Sequence, residues 1–165
     1  MEFYRTKRLI IRNVDEKDIP IIYDYRNNEI CARYQRGQVK ELDEIEDLVA
    51  QRKNDTLTSN QNFMLAVALK DTDEMVGEIA VMPNDGCISL GYTFSYKHHR
   101  KGYAFEALSM LIENFHVIYP DWEFISFTEP QNKASRALLE KLGYTHLCYS
   151  EKLDSEVYGK WVKEI

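Results

Sequence analysis

The chain has 165 residues and a mass of 19.5 kDa, the size of one domain that buries about 70% of its unfolded surface without needing a metal or disulfides. Hydrophobic residues make up 44% and charged residues 29% of the sequence, which excludes a disordered chain, a collagen-like chain and a disulfide scaffold. No apolar run approaches the ~18 residues of a transmembrane helix, and residues 1–16 lack the long apolar stretch of a signal peptide. We therefore expect one cytoplasmic domain that spans residues 1–165.

The charge balance is acidic, with 21 Lys and Arg against 27 Asp and Glu, a net charge of −6 and a pI near 5.3. A broad nucleic-acid surface needs a basic face, so we expect neither nucleic acid nor membrane as a partner. An acidic protein attracts cationic partners such as amines and basic peptide termini, although net charge also serves solubility alone. The cysteines Cys31, Cys87 and Cys148 show no metal-ligand spacing, and their odd number argues against a disulfide framework. The sequence thus predicts three reduced thiols and no metal site.

Hydrophobic periodicity predicts strands and helices that together form one mixed sheet. The predicted strands lie at 8–14, 63–69, 75–82, 87–94, 122–127, 144–150 and 156–163. The predicted helices lie at 16–26, 42–53, 103–117 and 132–142, the first capped by Asp15 and ended by Asn27 and Asn28. Residues 29–41 read as irregular. Short turns join the strands from 63 to 94 into an antiparallel meander. The resulting order, βααβββαβαββ, predicts an α/β or α+β domain.

The segment most informative about chemistry is SLGYTFSYKHHRKGYAFEAL, residues 89–108, in which a strand runs through a short loop into a helix. Gly102 allows a ligand to approach the backbone, and the free amides of a helix N-terminus attract phosphate oxygens. Arg100 and Lys101 add positive charge to the same turn. The alternative interpretation is a solvated basic loop before an ordinary helix. Neither GxxxxGK[ST] nor GxGxxG occurs, which disfavours a domain that binds ATP or NAD.

A second signature, EPQNKASRALLEKLGY, follows at residues 129–144. With HRKGYA at 99–104, which resembles the pyrophosphate loop [QR]-x-x-G-x-[GA], it is similar to the GNAT superfamily of acyl-CoA-dependent N-acyltransferases. The runs KRLIIRN, GYAFEAL and NKAS…LEKLGY resemble the branch that contains the acetyltransferases of ribosomal-protein N-termini. The resemblance covers nearly the whole chain and implies a mixed, mostly antiparallel central sheet flanked by helices. The sequence departs from the family pattern at three positions. His99 stands where the family usually has Gln or Arg, and Arg100 stands where this branch often has Gly. Leu139 stands where many of these enzymes carry a Tyr that acts as the general acid.

The resemblance implies acetyl-CoA as the cosubstrate, held by the backbone of one strand, by the pyrophosphate loop and by the start of the helix after residue 131. The residues that it places against acetyl-CoA are Tyr92, Thr93, Phe94, His99, Arg100, Lys101, Gly102, Tyr103, Ala104, Asn132 and Ser135. Asn132 has a structural alternative, because Asn is a strong N-cap of a helix.

The reaction implied is direct attack of an amine on the thioester through a tetrahedral intermediate. Most amines are protonated at pH 7, so a base, often acting through water, must remove a proton, and a backbone N–H stabilises the negative oxygen. Glu78 is the candidate base because it is a lone charge in the strand MVGEIAV; the alternative is a solvent-facing side chain. By the resemblance, Ser135 lies near the sulfur as the candidate acid. We assign Glu106 a structural role, in which its negative charge compensates the positive end of the helix dipole.

The acceptor is expected to be a small amine or a peptide or protein N-terminus, with residues 27–40 and 147–160 setting specificity. Family analogy allows a homodimer. The alternative function is an acyl-CoA-binding sensor or interaction module with little or no turnover, which would bind acetyl-CoA without releasing CoA in the presence of an amine.

Overall fold

The computed structural model describes residues 1–164, in which strands and helices follow one another in the predicted alternation. The strands are β1 (Glu2–Arg5), β2 (Leu9–Arg12), β3 (Phe63–Leu69), β4 (Met75–Asn84), β5 (Cys87–Phe94), β6 (Glu123–Thr128), β7 (Thr145–Ser150) and β8 (Ser155–Lys160). The helices are α1 (Ile19–Arg26), α2 (Glu29–Ala32), α3 (Leu42–Arg52), α4 (Tyr103–Ile118) and α5 (Lys133–Lys141). Single 3₁₀ turns precede α1 and α4, at Glu16–Asp18 and Tyr96–His98.

All eight strands form one sheet in the order β1-β2-β3-β4-β5-β6-β8-β7. Every neighbouring pair is antiparallel except β5 and β6, which are parallel. That parallel pairing covers only Cys87 with Glu123 and Ile88 with Phe124, although β5 continues to Phe94. The two strands therefore separate after their first residues and leave a gap beside the second half of β5. The mixed, mostly antiparallel sheet confirms the predicted fold class.

The two faces of the sheet carry separate hydrophobic cores. On one face, the buried side of α4, with Leu108, Leu111 and Phe115, packs against residues of the central strands. On the other, α1 and α3 bury Ile22 and Ile45 against residues of β3 and β4. Burial of each such side chain stabilises the fold by about 1.5–3 kcal/mol. The sheet is thus covered by different helices on its two faces.

Two elements are missing from the predicted order, because β1 pairs with β2 ahead of it and α2 lies within the segment predicted to be irregular. The predicted first strand, 8–14, is shorter and corresponds to β2. Asn28 does not only end α1: its side chain accepts hydrogen bonds from the N–H groups of Ile30 and Cys31 and so caps α2. The predicted cap by Asp15 is confirmed, although it caps the 3₁₀ turn that leads into α1, where Asp15 and Asp18 form a capping box.

The three cysteines are free. Within residues 1–164, no helix combines the length and the apolar character needed to cross a membrane.

Candidate active site

The edge of β5 that faces the gap offers backbone hydrogen-bonding groups. The N–H of Ser95 donates to the carbonyl of Val76 on β4, over 2.8 Å. Because backbone groups alternate along a strand, Tyr92 and Phe94 direct theirs away from β4, into the gap. The Tyr92 carbonyl accepts a hydrogen bond from Gln35 Nε2 at 3.1 Å. The N–H groups of Tyr92 and Phe94 lie on the same edge and are the donors that β5 presents to a ligand.

The loop at 99–104 connects this edge to the N-terminus of α4. His99 anchors it, since His99 Nε2 lies 2.7 Å from the Phe94 carbonyl; any contact of His99 with an anion would therefore use its backbone. Arg100 and Gly102 both have left-handed backbones, with φ of +62° and +78°, which explains why glycine is common at the first of these positions in the family that the sequence resembles. The first N–H groups of α4 have no intrahelical acceptor, and N–H groups at a helix N-terminus are suited to binding an anion.

Glu106 fastens the first turn of α4 to the connection between β1 and β2. Its carboxylate accepts hydrogen bonds from Thr6 Oγ1 at 2.5 Å, from Arg8 N at 3.0 Å and from Arg8 Nε at 2.8 Å. Partial burial opposes ionisation, but these donors outweigh it and lower the pKa of Glu106. Glu106 therefore has the structural role assigned to it, through an ion pair as well as the helix dipole.

The start of α5 brings Ser135 to β5. Asn132 Oδ1 accepts the N–H of Ser135 at 3.2 Å, which confirms that Asn132 caps the helix. Ser135 Oγ lies 2.8 Å from Tyr92 Oη. Leu139, one turn further on, is 2% exposed and belongs to the core, so α5 has no tyrosine there. The sequence predicted that the backbone of Tyr92 binds the cosubstrate. It did not predict the contact between the Tyr92 side chain and Ser135, because that contact depends on where α5 packs.

Glu78 is buried, so its solvent-facing alternative is wrong. It is 5% exposed and pairs with Arg26, whose Nη2 lies 2.6 Å from Glu78 Oε1. The hydroxyl of Tyr25 donates to Oε2, and burial raises the pKa of Tyr25 well above its usual value, which keeps it a donor. Gln38 Nε2 lies 3.2 Å from Glu78 Oε1 and 2.9 Å from Thr93 Oγ1. This buried carboxylate network reaches β5 on the face opposite Tyr92 and Ser135.

A bridging loop, residues 33–41 between α2 and α3, spans the gap on that face. Gln35 contacts β5, while Arg36 reaches the far side, with Nε 3.0 Å from Glu129 Oε1. Arg36 Nη2 also donates to the Asp154 carbonyl in the β7–β8 turn, at 3.0 Å. The two segments predicted to set acceptor specificity therefore meet at Arg36.

The described part of the chain, up to residue 164, contains no cluster of three or more His, Cys, Asp or Glu side chains that could hold a metal ion. His98 points out of the gap, with Nε2 3.5 Å from Glu74.

A strand pair that separates beside a glycine loop at a helix N-terminus fits the acyl-CoA-binding transferases that the sequence resembles. Residues 8–145 match the family model described as the acetyltransferase (GNAT) domain, and the chain belongs to this family. It is an acetyl-CoA-dependent N-acetyltransferase, because family members transfer an acetyl group from acetyl-CoA to an amine.

Three known proteins are similar to this chain in sequence or in fold. The uncharacterized N-acetyltransferase YnaD of Bacillus subtilis is 27% identical over 146 residues, which cover 84% of this chain and 79% of YnaD. A GNAT-family acetyltransferase of Bacillus anthracis has the same fold, with a TM-score of 0.81, 22% identity and 96% of each chain covered. RimL, named a ribosomal L7/L12 alpha-N-protein acetyltransferase and solved with coenzyme A, has a TM-score of 0.79, 13% identity and 97% of each chain covered.

Proposed function

We propose that the protein transfers the acetyl group of acetyl-CoA to one primary amine, that of a peptide or protein N-terminus or of a small monoamine, by direct attack through a tetrahedral intermediate. The observation that carries this proposal is the gap beside β5, which has an anion-binding loop at one end and the bridging loop across one face.

The residues around the gap fit acetyl-CoA. Loop 99–104 holds the pyrophosphate through backbone N–H groups, since Gly102 leaves its backbone uncovered and the exposed Arg100 and Lys101 carry positive charge. The N–H groups of Tyr92 and Phe94 face the pantetheine arm and the thioester carbonyl. Bound acetyl-CoA supplies an activated acyl group with a thiol as its leaving group.

Charges beside the gap favour an acceptor with a single cationic group. Glu78 is ion-paired with Arg26, and Glu129 with Arg36. The bridging loop also carries exposed Arg33. A polyamine needs carboxylates for its second ammonium group, and Glu78 and Glu129 are already paired with arginines. A peptide N-terminus or a monoamine makes no such demand, which supports this choice.

Calorimetric titration with acetyl-CoA, with ATP and NAD as controls, tests the cosubstrate. We expect selective binding of acetyl-CoA, on the order of micromolar. CoA release is then measured with peptides of varied N-terminal residue, with monoamines and with spermidine, and we expect kcat/KM at least tenfold higher for the best peptide or monoamine than for spermidine. A preference for spermidine would contradict the acceptor class, and binding without CoA release from any amine would favour the sensor alternative.

We also propose Glu78 as the base, acting through water from its side of the gap. Glu78→Gln should lower kcat/KM about 100-fold at pH 7. The deficit should shrink above pH 8, because an α-amine with a pKa of about 7.7–8.0 then loses its proton without help. Glu129→Gln removes the other ion-paired carboxylate and serves as the control, with a smaller, pH-independent loss. An equal deficit for Glu78→Gln at every pH would mean that Glu78 acts only by holding the structure.

A further inference from the structure

Leu139 leaves α5 without a phenol that could protonate the leaving group of the proposed reaction. The departing thiolate of CoA needs a proton, and α5 has a buried leucine where many relatives carry a tyrosine. Ser135 is the hydroxyl that α5 brings to β5, but an aliphatic hydroxyl is a very weak acid, close in acidity to water. A thiol has a pKa of about 8.5, so Ser135 alone is a poor donor to a thiolate. A stronger acid must therefore donate a proton to Ser135.

We propose that Tyr92 supplies the proton that the leaving thiolate takes up, and that Ser135 passes it on. Tyr92 Oη lies 2.8 Å from Ser135 Oγ, so a proton can move between them without rearrangement. When Tyr92 donates this hydrogen bond, the proton of Ser135 is free to point into the gap. The inference rests on the proposed function, since it concerns the leaving group of that reaction.

The surroundings hold this pair in place. Tyr92 projects from β5 on the face that α5 covers and packs against the core there, while Asn132 fixes the backbone of Ser135 by capping the helix. Burial raises the pKa of Tyr92, so the phenol remains protonated at neutral pH. Even with its pKa raised above the ordinary phenol value of about 10, Tyr92 is a stronger acid than an aliphatic hydroxyl.

Atoms and electrons balance in this step. The carbon–sulfur bond breaks and its electron pair moves to sulfur; the Ser135 hydroxyl proton forms the S–H bond; the Tyr92 proton moves to Ser135 Oγ. Tyr92 is left as a phenolate and regains a proton from water through Ser135 after CoA departs. Tyr92 is thus a positioning residue that acts through Ser135, and it replaces from β5 the phenol that α5 lacks.

Tyr92→Phe, which removes only the hydroxyl, tests the proposal. We expect kcat to fall at least 10-fold, because acid–base groups typically contribute about 10²–10⁴-fold and Tyr92 acts only through Ser135, while the Kd for CoA and the KM for acetyl-CoA change less than twofold. Ser135→Ala should lower kcat at least as much, and adding Tyr92→Phe to it should cost nothing more. Ser135→Thr, which keeps a hydroxyl, should retain most activity. Tyr119→Phe, at the far end of α4, is the control and should match the wild type.

Solvent deuterium provides a readout that a merely structural role would not move. When two protons move in the same step, the plot of kcat against the deuterium fraction of the solvent is curved, and we expect this for the wild type. In Tyr92→Phe only the Ser135 proton moves, so the plot should be straight. Additive losses in the double variant, full activity of Ser135→Ala, or a loss of CoA affinity parallel to kcat in Tyr92→Phe would each overturn the relay. If the wild type itself releases no CoA with any amine, the proposed function fails instead.

Discussion

Gly102→Glu is expected to raise the Kd for acetyl-CoA at least 100-fold, about 2.7 kcal/mol, while the protein stays folded. Gly102 precedes the first turn of α4 with φ of +78°, so its backbone lies open where the pyrophosphate is proposed to bind. A glutamate there covers the N–H groups and places a negative charge against the phosphates. The left-handed conformation adds about 1 kcal/mol of strain for a residue with a Cβ.

Gly86→Glu is the control that separates the loss of acetyl-CoA affinity from the effects of backbone strain and added negative charge. Gly86 also has a left-handed backbone, with φ of +85°, and no atom lies within 4 Å of a Cβ added there. It occupies the β4–β5 turn, roughly 25 Å along β5 from the loop. Both variants should lose similar thermal stability, measured by circular dichroism, and calorimetry should show lost affinity only for Gly102→Glu. Unchanged affinity in Gly102→Glu would refute the placement of the pyrophosphate.

The elements with long, regular patterns were predictable, and the short ones were not. The meander of β3, β4 and β5 and the amphipathic α4 agree with their predicted bounds within two residues, because their periodicity extends over seven residues or more. β1 and α2 have four residues each, too few for a period to appear. Their formation depends on partners, β2 for β1 and the Asn28 cap for α2.

The candidate site likewise has local features that the sequence predicts and long-range contacts that it does not. The glycine loop and the Asn132 cap are local, so the order of residues predicts them. The Tyr92–Ser135 and Arg36–Glu129 contacts join residues 43 and 93 positions apart, and no local pattern encodes such pairs. One signal for the environment of Glu78 was present: Arg26 recurs with Ile22 on the apolar side of α1. A charge at a core position requires a buried partner, and the lone carboxylate in β4 is that partner.

Arg26→Met is expected to destabilise the protein by about 3–5 kcal/mol, because it leaves the carboxylate of Glu78 buried and without its counter-ion. Both side chains are nearly inaccessible, with exposed fractions of 6% and 7%. Urea unfolding measures the loss. Arg5→Met is the matched control: it breaks the exposed pair with Glu2, where the side chains are 57% and 38% exposed, and should cost less than about 1 kcal/mol.

The double variant Arg26→Met with Glu78→Gln shows whether charge or packing sets this cost. It removes both charges and keeps similar volumes, while the amide oxygen introduced in β4 can still accept the hydrogen bond from Tyr25, so we expect it to be more stable than Arg26→Met alone. The double variant can also be compared with the wild type in the pH test of Glu78, because neither protein has an unpaired charge at this position. A double variant as unstable as the sum of its single changes, or an Arg26→Met variant no less stable than Arg5→Met, would contradict a buried pair whose partners depend on each other.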